Sequence, residues 1–359
     1  MKTVLIGEIS SYKGIICVRF LKKYYGNNVR ILTFDSRQFT RLIRTRFSDL
    51  HFLVSNPDIN INKYNSDLKE IVEKQKVDFF IPINSKYISE LLANKDNFRG
   101  SLDYYGPHSS YEILNNKKKL QDYLEEISHF VMPAHYDKFE NAKLPFVFKP
   151  EASSSSMGVM YFLSPRDLTK YESVVDNKGV FQQYIKGKGV GFSCFCRNGE
   201  ILVSYSHIRL LEYPLTGGSS LYRKTFINDR LLPMVEPIVR GLKWNGFAMF
   251  EFKLTANNEI YLIEVNPRIW GSINQGLENG INYFEPMLGK FSQAISNSNI
   301  KANRTFLAPL IYFAFFKLAV KGKFSILFNF LVNLRNNKAD ISFLCDFKGY
   351  LSIIFRKIL

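Results

Sequence analysis

Residues 246–268 read GFAMFEFKLTANNEIYLIEVNPR, a stretch that predicts two apolar strands joined by a tight turn. The turn falls at Asn257 and Asn258, because adjacent asparagines tolerate the positive φ angles of a two-residue hairpin loop. This register pairs Leu254 with Tyr261. The sequence therefore predicts an antiparallel hairpin in which opposite residues are already defined.

The same register places two acidic side chains, Glu251 and Glu264, face to face across the hairpin. Cross-strand partners have Cβ atoms ~5 Å apart, and like charges repel at that distance. Asn266 points to the same face as Glu264, and two carboxylates with an amide oxygen suit Mg²⁺ shared with nucleotide phosphates. Arg268 adds a planar cation suited to phosphate or a developing acyl phosphate. The alternative is an ordinary hairpin with two solvated surface acids.

The segment from residue 251 to residue 288 resembles the metal-binding end of the ATP-grasp superfamily, through EFK, LIEVNPR and IWGSINQGLENGINYFEPML. That superfamily includes the carbamoyl-phosphate synthase large chain, biotin carboxylase and D-Ala-D-Ala ligase. The resemblance implies that Glu251, Glu264 and Asn266 bind two Mg²⁺ ions, with Mn²⁺ as an alternative. It also implies that Arg268 contacts the transferred phosphate of ATP.

A second candidate element is a lysine at the end of a strand, followed by a loop of small residues. Lys149 ends the apolar run 145–150, and the loop 151–159 reads EASSSSMGV. A lysine at a strand end beside backbone N–H groups is suited to phosphate. In the family this loop is usually glycine-rich and closes over the triphosphate. We therefore expect phosphate contacts from the loop's small residues, which are Ser153, Ser154, Ser155, Ser156 and Gly158.

The resemblance implies two further nucleotide-binding elements. Lys117 occupies the position of the family's first nucleotide lysine, although Asn116 replaces the usual Asp and two more lysines follow, so the register stays open. FQQYIKG resembles the hinge whose backbone reads the adenine edge, with Gln183 in place of the usual Glu. The implied hinge contacts come from Gln182, Gln183, Tyr184 and Ile185; an ordinary glutamine-containing strand is the alternative.

The predicted acceptor side begins with His207 and Arg209, which share one strand face. With the loop that follows, they resemble the H-x-R…P-x-T-G-G-x-S stretch of carboxylate-amine ligase-like ATP-grasp proteins, including some from polysaccharide gene clusters. We expect both side chains to contact phosphate or a substrate carboxylate. The remaining expected substrate contacts are small residues of two loops: Gly217, Gly218, Ser219, Gly271 and Ser272.

The order of these elements predicts an α/β protein. Residues 1–109 begin as a βαβ unit and resemble the Rossmann-like N-terminal domain of the family, with 77–83 as the third strand. Residues 110–189 form the small ATP-grasp lobe, starting with one helix over 110–127. Residues 190–300 form the lobe with the metal site, and residues 301–359 form a basic, apolar helical tail.

The formal net charge is +16, and the tail holds ten basic residues against two acidic ones. Either the tail helices pack on the body or form an oligomer contact such as a homodimer, or they lie on an anionic membrane surface. No nucleic-acid recognition motif accompanies the charge, so no specific nucleic-acid partner is expected. The N-terminus does not resemble a signal peptide and no apolar run reaches ~20 residues, which favours a cytoplasmic protein, peripheral at the membrane at most. The four cysteines lack metal-ligand spacing and indicate free thiols.

The implied activity is that of an ATP-dependent ligase that joins a carboxylate to an amine through an acyl phosphate. ATP and Mg²⁺ are the expected cofactors, and small carboxylate and amine molecules are the expected substrates. Catalysis would come from charge stabilisation by Arg268 and Lys149. The alternatives are an ATP-grasp enzyme with another acceptor, such as bicarbonate or a phosphotransfer acceptor, and a non-catalytic nucleotide-binding protein.

Overall fold

The structure, a computed structural model, describes residues 1–127, 132–151, 158–171, 179–214, 218–289, 303–322 and 324–358. Its first sheet is parallel, with strand order β3-β2-β1-β4. These strands are β1 (Lys2–Ile6), β2 (Val29–Asp35), β3 (Leu50–Leu53) and β4 (Phe79–Ile81). The accompanying helices are α1 (Tyr12–Tyr25), α2 (Ile61–Gln75) and α3 (Ser85–Ala93).

This sheet corrects one detail of the sequence prediction. The segment 77–83, predicted to form the third strand, contains the fourth strand, β4. The missed strand β3 lies at the sheet edge and is only partly buried, so it lacks the continuous apolar run that marks a central parallel strand. The central strands β1 and β2 do have that run, and α1 packs its apolar side chains on them.

The helix predicted over 110–127 is two helices, α4 (His108–Asn115) and α5 (Lys117–Glu126). Asn116 separates them with an extended backbone. Its side-chain oxygen accepts hydrogen bonds from the backbone N–H groups of Lys118 and Lys119. The residue that departs from the family's Asp-Lys pair is therefore an N-cap, a role that Asn fills as well as Asp.

The small lobe holds a four-stranded antiparallel sheet of order β5-β8-β6-β7. Its strands are β5 (His135–Tyr136), β6 (Phe146–Pro150), β7 (Met160–Phe162) and β8 (Gly179–Gln183), with helix α6 at Pro165–Tyr171. Four buried phenylalanines, Phe146, Phe148, Phe162 and Phe181, form its core. This packing fixes the end of β6, where Lys149 lies.

A seven-stranded sheet of order β13-β12-β9-β10-β11-β14-β15 carries most of the candidate site. Its strands are β9 (Lys188–Arg197), β10 (Glu200–Tyr213), β11 (Ser219–Thr225), β12 (Gly246–Leu254), β13 (Ile260–Asn266), β14 (Arg304–Phe306) and β15 (Asn337–Ala339). Three helices accompany it: α7 (Leu231–Gly241), α8 (Ile273–Leu277) and α9 (Phe284–Met287). Cys194 and Cys196 on β9 are buried free thiols.

The predicted helical tail contains α10 (Leu310–Val320), α11 (Ser325–Val332) and α12 (Phe347–Ile358), and it also extends the large sheet through β14 and β15. Asp340, directly after β15, forms a fully buried ion pair with Arg223 of β11. Arg356 of α12 reaches Glu8 at the end of β1, with 3.6 Å between Nη2 and Oε2. The tail therefore packs on both the sheet and the N-terminal part.

Candidate functional site

Glu251 and Glu264 are direct cross-strand partners, as the sequence predicted. The predicted pairing of Leu254 with Tyr261 is wrong, because Leu254 pairs with Ile260 around a longer loop in which Asn258 has a φ of 65°. A register shift after Glu251 leaves Ile263 as an extra residue in β13. This bulge offsets the shifted turn, so the two acids face each other for a different reason from the predicted one.

Asn266 and Arg268 continue the site from the end of β13. Asn266 donates from Nδ2 to Glu251 Oε1 at 3.0 Å and to Glu264 Oε1 at 3.4 Å. Its Oδ1 accepts a hydrogen bond of 2.7 Å from Nη2 of Arg268. The amide nitrogen, rather than the predicted ligand oxygen, thus faces the carboxylates. Oxygen coordination by Asn266 requires its amide to rotate, which also releases this bond to Arg268.

Each carboxylate of the acid pair has its own cationic partner. Arg209 Nη2 lies 2.6 Å from Glu251 Oε2, and Lys117 Nζ lies 3.8 Å from Glu264 Oε2. Burial raises the pKa of Glu251 more than Arg209 lowers it. Burial also acts to raise the pKa of Glu264, but Lys117 and Lys149 outweigh it and the pKa is lowered. The pair therefore holds its negative charge unequally, mainly on Glu264.

The donor set fits a hard divalent ion. Among the described residues, no group of three or more His, Cys, Asp or Glu side chains is arranged to hold a metal ion. A metal ion at this site would therefore also need ligands other than these four residue types. Glu251 and Glu264 supply two carboxylates, and Asn266 supplies the third protein oxygen after rotation. Mg²⁺ commonly takes one or two protein carboxylates, with water and substrate phosphates completing its octahedral shell.

The three consecutive lysines resolve into one site residue and two surface residues. Only Lys117 reaches the carboxylate pair, with a side chain that is 9% exposed. Lys118 pairs with Asp122 at 2.6 Å and Lys119 pairs with Glu112 at 3.2 Å, both on the exposed side of the helix. The N-cap at Asn116 starts α5 at Lys117 and so decides which lysine faces the site.

Lys149 is buried at the end of β6 and donates a 2.6 Å hydrogen bond to Gln182 Oε1. Gln182 Nε2 in turn lies 2.9 Å from His135 Nε2. Burial lowers the pKa of Lys149 to about 8, despite the opposing charge of Glu264. Burial, with the Lys149 charge, lowers the pKa of His135 to about 4. His135, which sequence reasoning missed, is therefore a neutral neighbour that orients Gln182.

Gln182 and Gln183, two of the predicted hinge residues, lie on opposite faces of β8. Gln182 points toward Lys149, whereas Gln183 is exposed and its side-chain oxygen accepts from the backbone N–H of Ala134. The residue beside Lys149 is therefore Gln182, not Gln183, because successive strand residues alternate in direction. The backbone N–H of Tyr184 donates to the Pro145 carbonyl and is already used. That of Ile185 donates no hydrogen bond to any described residue.

The predicted phosphate and acceptor loops are described only in part. Ser153, Ser154, Ser155, Ser156 and Gly217 lie outside the described residues. Gly158 ends the first of these loops with a φ of 73°, a conformation that favours glycine. Gly218 begins the described part of the second loop, and its carbonyl accepts from Arg209 Nη1 at 3.3 Å.

His207 does not line the site, contrary to the prediction. Its imidazole is 1% exposed and lies against Gly191, its partner on β9. Burial, with the nearby Arg209 and Arg223, lowers the pKa of His207 well below its ordinary value, so the ring is neutral. Arg209 lines the cavity, and its guanidinium binds Glu251 and Glu212. Strand alternation correctly put both on one face but could not specify which partner each meets.

A cavity of about 140 Å³ connects these elements. Of the predicted site residues, those that line it are Lys149, Arg209, Gly218, Ser219, Glu251, Glu264, Asn266, Arg268, Gly271 and Ser272. The lining residues that sequence reasoning missed include Tyr12, Lys13, Tyr161, Glu212, Ser220, Lys253 and Trp270. A usable signal existed for Tyr12 and Lys13, because they follow the first parallel strand, where α/β proteins commonly bind ligands.

Comparison with known proteins agrees with this geometry. Residues 114–272 match the family model of the ATP-grasp domain. No curated protein sequence matches the chain. Taken with the sheet order and the site, the match means that residues 114–272 form an ATP-grasp domain.

Solved structures share the fold at low identity. Biotin carboxylase from Campylobacter jejuni, solved with a β,γ-ATP ligand, aligns with a TM-score of 0.64 and 13% identity over 84% of this chain and 74% of its own. The biotin carboxylase domain dimer of Hydrogenobacter thermophilus 2-oxoglutarate carboxylase, solved with MgADP and bicarbonate, gives 0.63 and 13% over 84% and 72%. L-amino acid ligase from Bacillus licheniformis gives 0.60 and 16% over 84% and 76%.

Proposed function

We propose that this protein is an ATP-dependent ligase that joins a carboxylate to an amine and releases ADP and phosphate. One observation carries the proposal: the facing carboxylates Glu251 and Glu264, the buried Lys149 and Arg268 all line one cavity. Acid pairs, lysines and an arginine in one enclosed space suit the transfer of a phosphoryl group between a nucleotide and an acceptor.

In this proposal the nucleotide occupies the end of the cavity near the small lobe. Lys117 and Lys149 bind its phosphates, and the Ile185 N–H is the available backbone donor for adenine. Val159, Tyr161 and Ile263 line this end and offer apolar contact. Glu251, Glu264 and Asn266 would hold Mg²⁺, which neutralises phosphate charge when bound. Two ions are expected from the family pattern, and Mn²⁺ could replace Mg²⁺.

The proposed chemistry has two displacement steps. A carboxylate oxygen of the acceptor attacks the γ phosphorus, the bond to the bridging oxygen breaks, and ADP leaves as an acyl phosphate forms. The amine then attacks the acyl carbon and expels inorganic phosphate, with loss of a proton, to give an amide. Arg268 and Lys149 stabilise negative charge on the phosphoryl oxygens. The Ser153–Ser156 loop would exclude water from the acyl phosphate.

The solved structures with a similar fold support two reactions, amide formation and the use of bicarbonate as the acceptor. The L-amino acid ligase is a precedent for the proposed chemistry on this fold. The carboxylase structure with bicarbonate instead supports a bicarbonate acceptor. The second alternative, nucleotide binding without catalysis, is less favoured, because Glu251, Glu264 and Arg268 are all present in one cavity.

Product analysis distinguishes these possibilities. We would incubate the protein with ATP and Mg²⁺ and a panel of amino acids, amino sugars and bicarbonate, and measure ADP, AMP and new amide products. Precursors of cell-surface polysaccharides belong in the panel, given the likeness of the 207–220 segment. ADP with an amide supports the proposal; ADP that depends on bicarbonate favours the carboxylase alternative. AMP would rule out the acyl-phosphate route.

We further propose that the tail contacts an anionic membrane surface. None of the described helices is long and apolar enough to cross a membrane. Nevertheless, α10, α11 and the segment that follows expose an apolar surface, called here the tail surface. Its exposed residues are Tyr312, Phe313, Phe316, Val320, Phe324, Phe328, Leu331, Val332, Leu334, Phe343, Leu344 and Phe347.

Charge favours a bilayer over a second copy of the chain. The cations of the described tail include Lys317, Lys321, Arg335 and Lys348, whereas its two acids, Asp340 and Asp346, are 0% and 1% exposed. Two such positive surfaces would repel each other in a homodimer, and anionic headgroups would attract them. Aromatic side chains rimmed by lysine and arginine are typical of helices that lie in the membrane interface.

Vesicle sedimentation tests this contact. Vesicles of equal parts phosphatidylcholine and phosphatidylglycerol should sediment the protein, whereas pure phosphatidylcholine vesicles should sediment much less. Phe316→Asp with Phe328→Asp should release the protein, because each buried phenylalanine contributes about 1.5–3 kcal/mol. Ile59→Asp, at an exposed apolar residue of the N-terminal part, is the control. Dimerisation that the same double substitution abolishes, without vesicle binding, would instead assign the surface to a second copy.

A further inference from the structure

The end of the cavity beyond Arg268 is built from three distant parts of the chain. The N-terminal part contributes Tyr12 and Lys13, at the start of α1. The start of β11 contributes Ser219 and Ser220, and the segment after β13 contributes Trp270, Gly271 and Ser272. The Tyr12 hydroxyl packs against Gly271, where any side chain would collide with it. We call this the N-terminal end of the cavity.

The two ends of the cavity differ in charge. At the nucleotide end each lining carboxylate has a cationic partner, since Arg209 pairs with both Glu212 and Glu251, and Lys117 pairs with Glu264. At the N-terminal end the charged lining residues are Lys13 and Arg268. Within the described part of the chain, neither forms an ion pair with a carboxylate at 4.0 Å or less.

Lys13 is held where a positive charge is unfavourable without a counter-ion. Burial, together with the charge of Arg268, lowers the pKa of Lys13 well below its ordinary value. The acid that acts on it most strongly, Glu8, already faces Arg356. A buried charge without a partner is unfavourable. The half-buried Lys13 and the buried Arg268 line one cavity and are therefore arranged for an anion that enters it.

Further polar groups at this end also lack protein partners. Arg268 Nε and Ser220 Oγ are buried and, among the described residues, form no hydrogen bond. The first turn of α1 has no side-chain cap at Ser11 and no acidic residue. The N-terminus of a helix favours negative charge, so the α1 terminus adds to the attraction. These groups belong to residues that line the same cavity as Lys13.

We propose that Lys13 and Arg268 bind the carboxylate of a small acceptor acid at the N-terminal end of the cavity. This rests on the proposed ligase function, and it adds the acceptor's location and its charge. Arg268 also bonds Asn266 beside the carboxylate pair. The bound carboxylate thus lies next to the phosphoryl group that it must attack. Lys13 is the specificity residue, because it favours acids over neutral acceptors.

Calorimetry with acetate as the probe tests the site directly. Acetate should bind the protein in the presence of ADP and Mg²⁺, and Lys13→Gln should weaken that binding at least about tenfold, as expected for a lost charged hydrogen bond. Lys13→Arg should retain most of the affinity. Lys23→Gln, at an exposed lysine of the same helix, is the matched control and should bind acetate normally.

Three outcomes would contradict this inference, change the kind of anion bound, or contradict the proposed ligase function instead. Equal acetate affinity in the wild type and Lys13→Gln, with ADP binding intact, would exclude Lys13 as the ligand. Inorganic phosphate binding that depends on Lys13, with no acetate binding, would mean that the site takes a phosphoryl group instead. Acetate binding that depends on Lys13 in a protein that does not bind ADP would support the anion site and contradict the proposed ligase function. Thermal unfolding of each variant checks that it is folded.

Discussion

Lys149 donates a 2.6 Å hydrogen bond to the side-chain oxygen of Gln182, and it does so from a buried strand end. An amide oxygen, unlike a carboxylate, provides no full negative charge to balance the ammonium. Burial therefore lowers the pKa of Lys149 to about 8. Lys149, which is proposed to bind phosphate, therefore loses its positive charge as the pH rises through about 8.

This relationship predicts a pH-dependent nucleotide affinity. The dissociation constant for ADP should rise as the pH increases through about 8, because Lys149 loses its proton. Lys149→Arg should abolish this dependence, since arginine stays protonated throughout that range. The measurement is calorimetric titration of ADP with Mg²⁺ from about pH 7 to about pH 9. A wild-type profile as flat as that of the arginine variant would contradict the prediction.

The same shift has a consequence for the free protein. A lysine pKa that is lower in the folded state than in the unfolded state means that the unfolded chain binds more protons between about pH 8 and about pH 10.4. The contribution of Lys149 to the free energy of unfolding therefore becomes more favourable as pH rises through that window. Lys149→Met should remove this part of the pH dependence in urea unfolding. If the free energies of unfolding of the wild type and Lys149→Met differ by the same amount at every pH in this window, the prediction is contradicted.

The acid pair predicts a selective loss of metal-dependent activity. Glu264→Gln should reduce ADP formation at least about 100-fold, because mutation of a residue that only supports a metal ligand already costs about 10–100-fold. Glu259→Gln, at an exposed acid of the same hairpin, should leave activity unchanged. Activity as a function of Mg²⁺ concentration is the measurement. Full activity of Glu264→Gln at ordinary Mg²⁺ would refute the metal assignment.

The buried Arg223–Asp340 pair predicts that the tail stabilises the large sheet. Asp340→Asn leaves Arg223 as an uncompensated buried charge and should lower the free energy of unfolding by about 3–5 kcal/mol. Asp229→Asn, at an exposed position, is the control. Urea unfolding measures both. Because Arg223 also donates to the carbonyl of Ser220 in the cavity wall, acetate affinity should fall together with stability.

The contact between His207 and Gly191 separates a structural role from a substrate-binding role. Gly191→Ala should destabilise the protein by about 1–3 kcal/mol, because the added methyl group collides with the imidazole. His207→Ala combined with Gly191→Ala should recover part of that loss in a double-mutant cycle. A selective increase in KM for the acceptor on His207→Ala, with unchanged stability, would restore the original substrate-binding assignment.

Local patterns predicted which strand face a side chain occupies better than which residue it contacts. The facing of Glu251 and Glu264 followed from the hairpin, but only because a bulge at Ile263 cancels an error in the turn. The neighbouring Gln182 and Gln183 carry the same side chain, and the strand's two faces distinguish them. His207 has polar neighbours in sequence, yet its cross-strand neighbour is a glycine that leaves room for a buried ring.

The sequence by itself determined that the chain carries an ATP-grasp domain, because residues 114–272, which hold the acids, the lysines and the arginine in order, match the model of that domain. Only the tertiary structure decided that Lys117 rather than Lys118 reaches Glu264, and that Lys13 faces Arg268. The physical reason is that a local pattern specifies which face a residue occupies. What lies opposite that face is set by packing between segments that are distant in the chain.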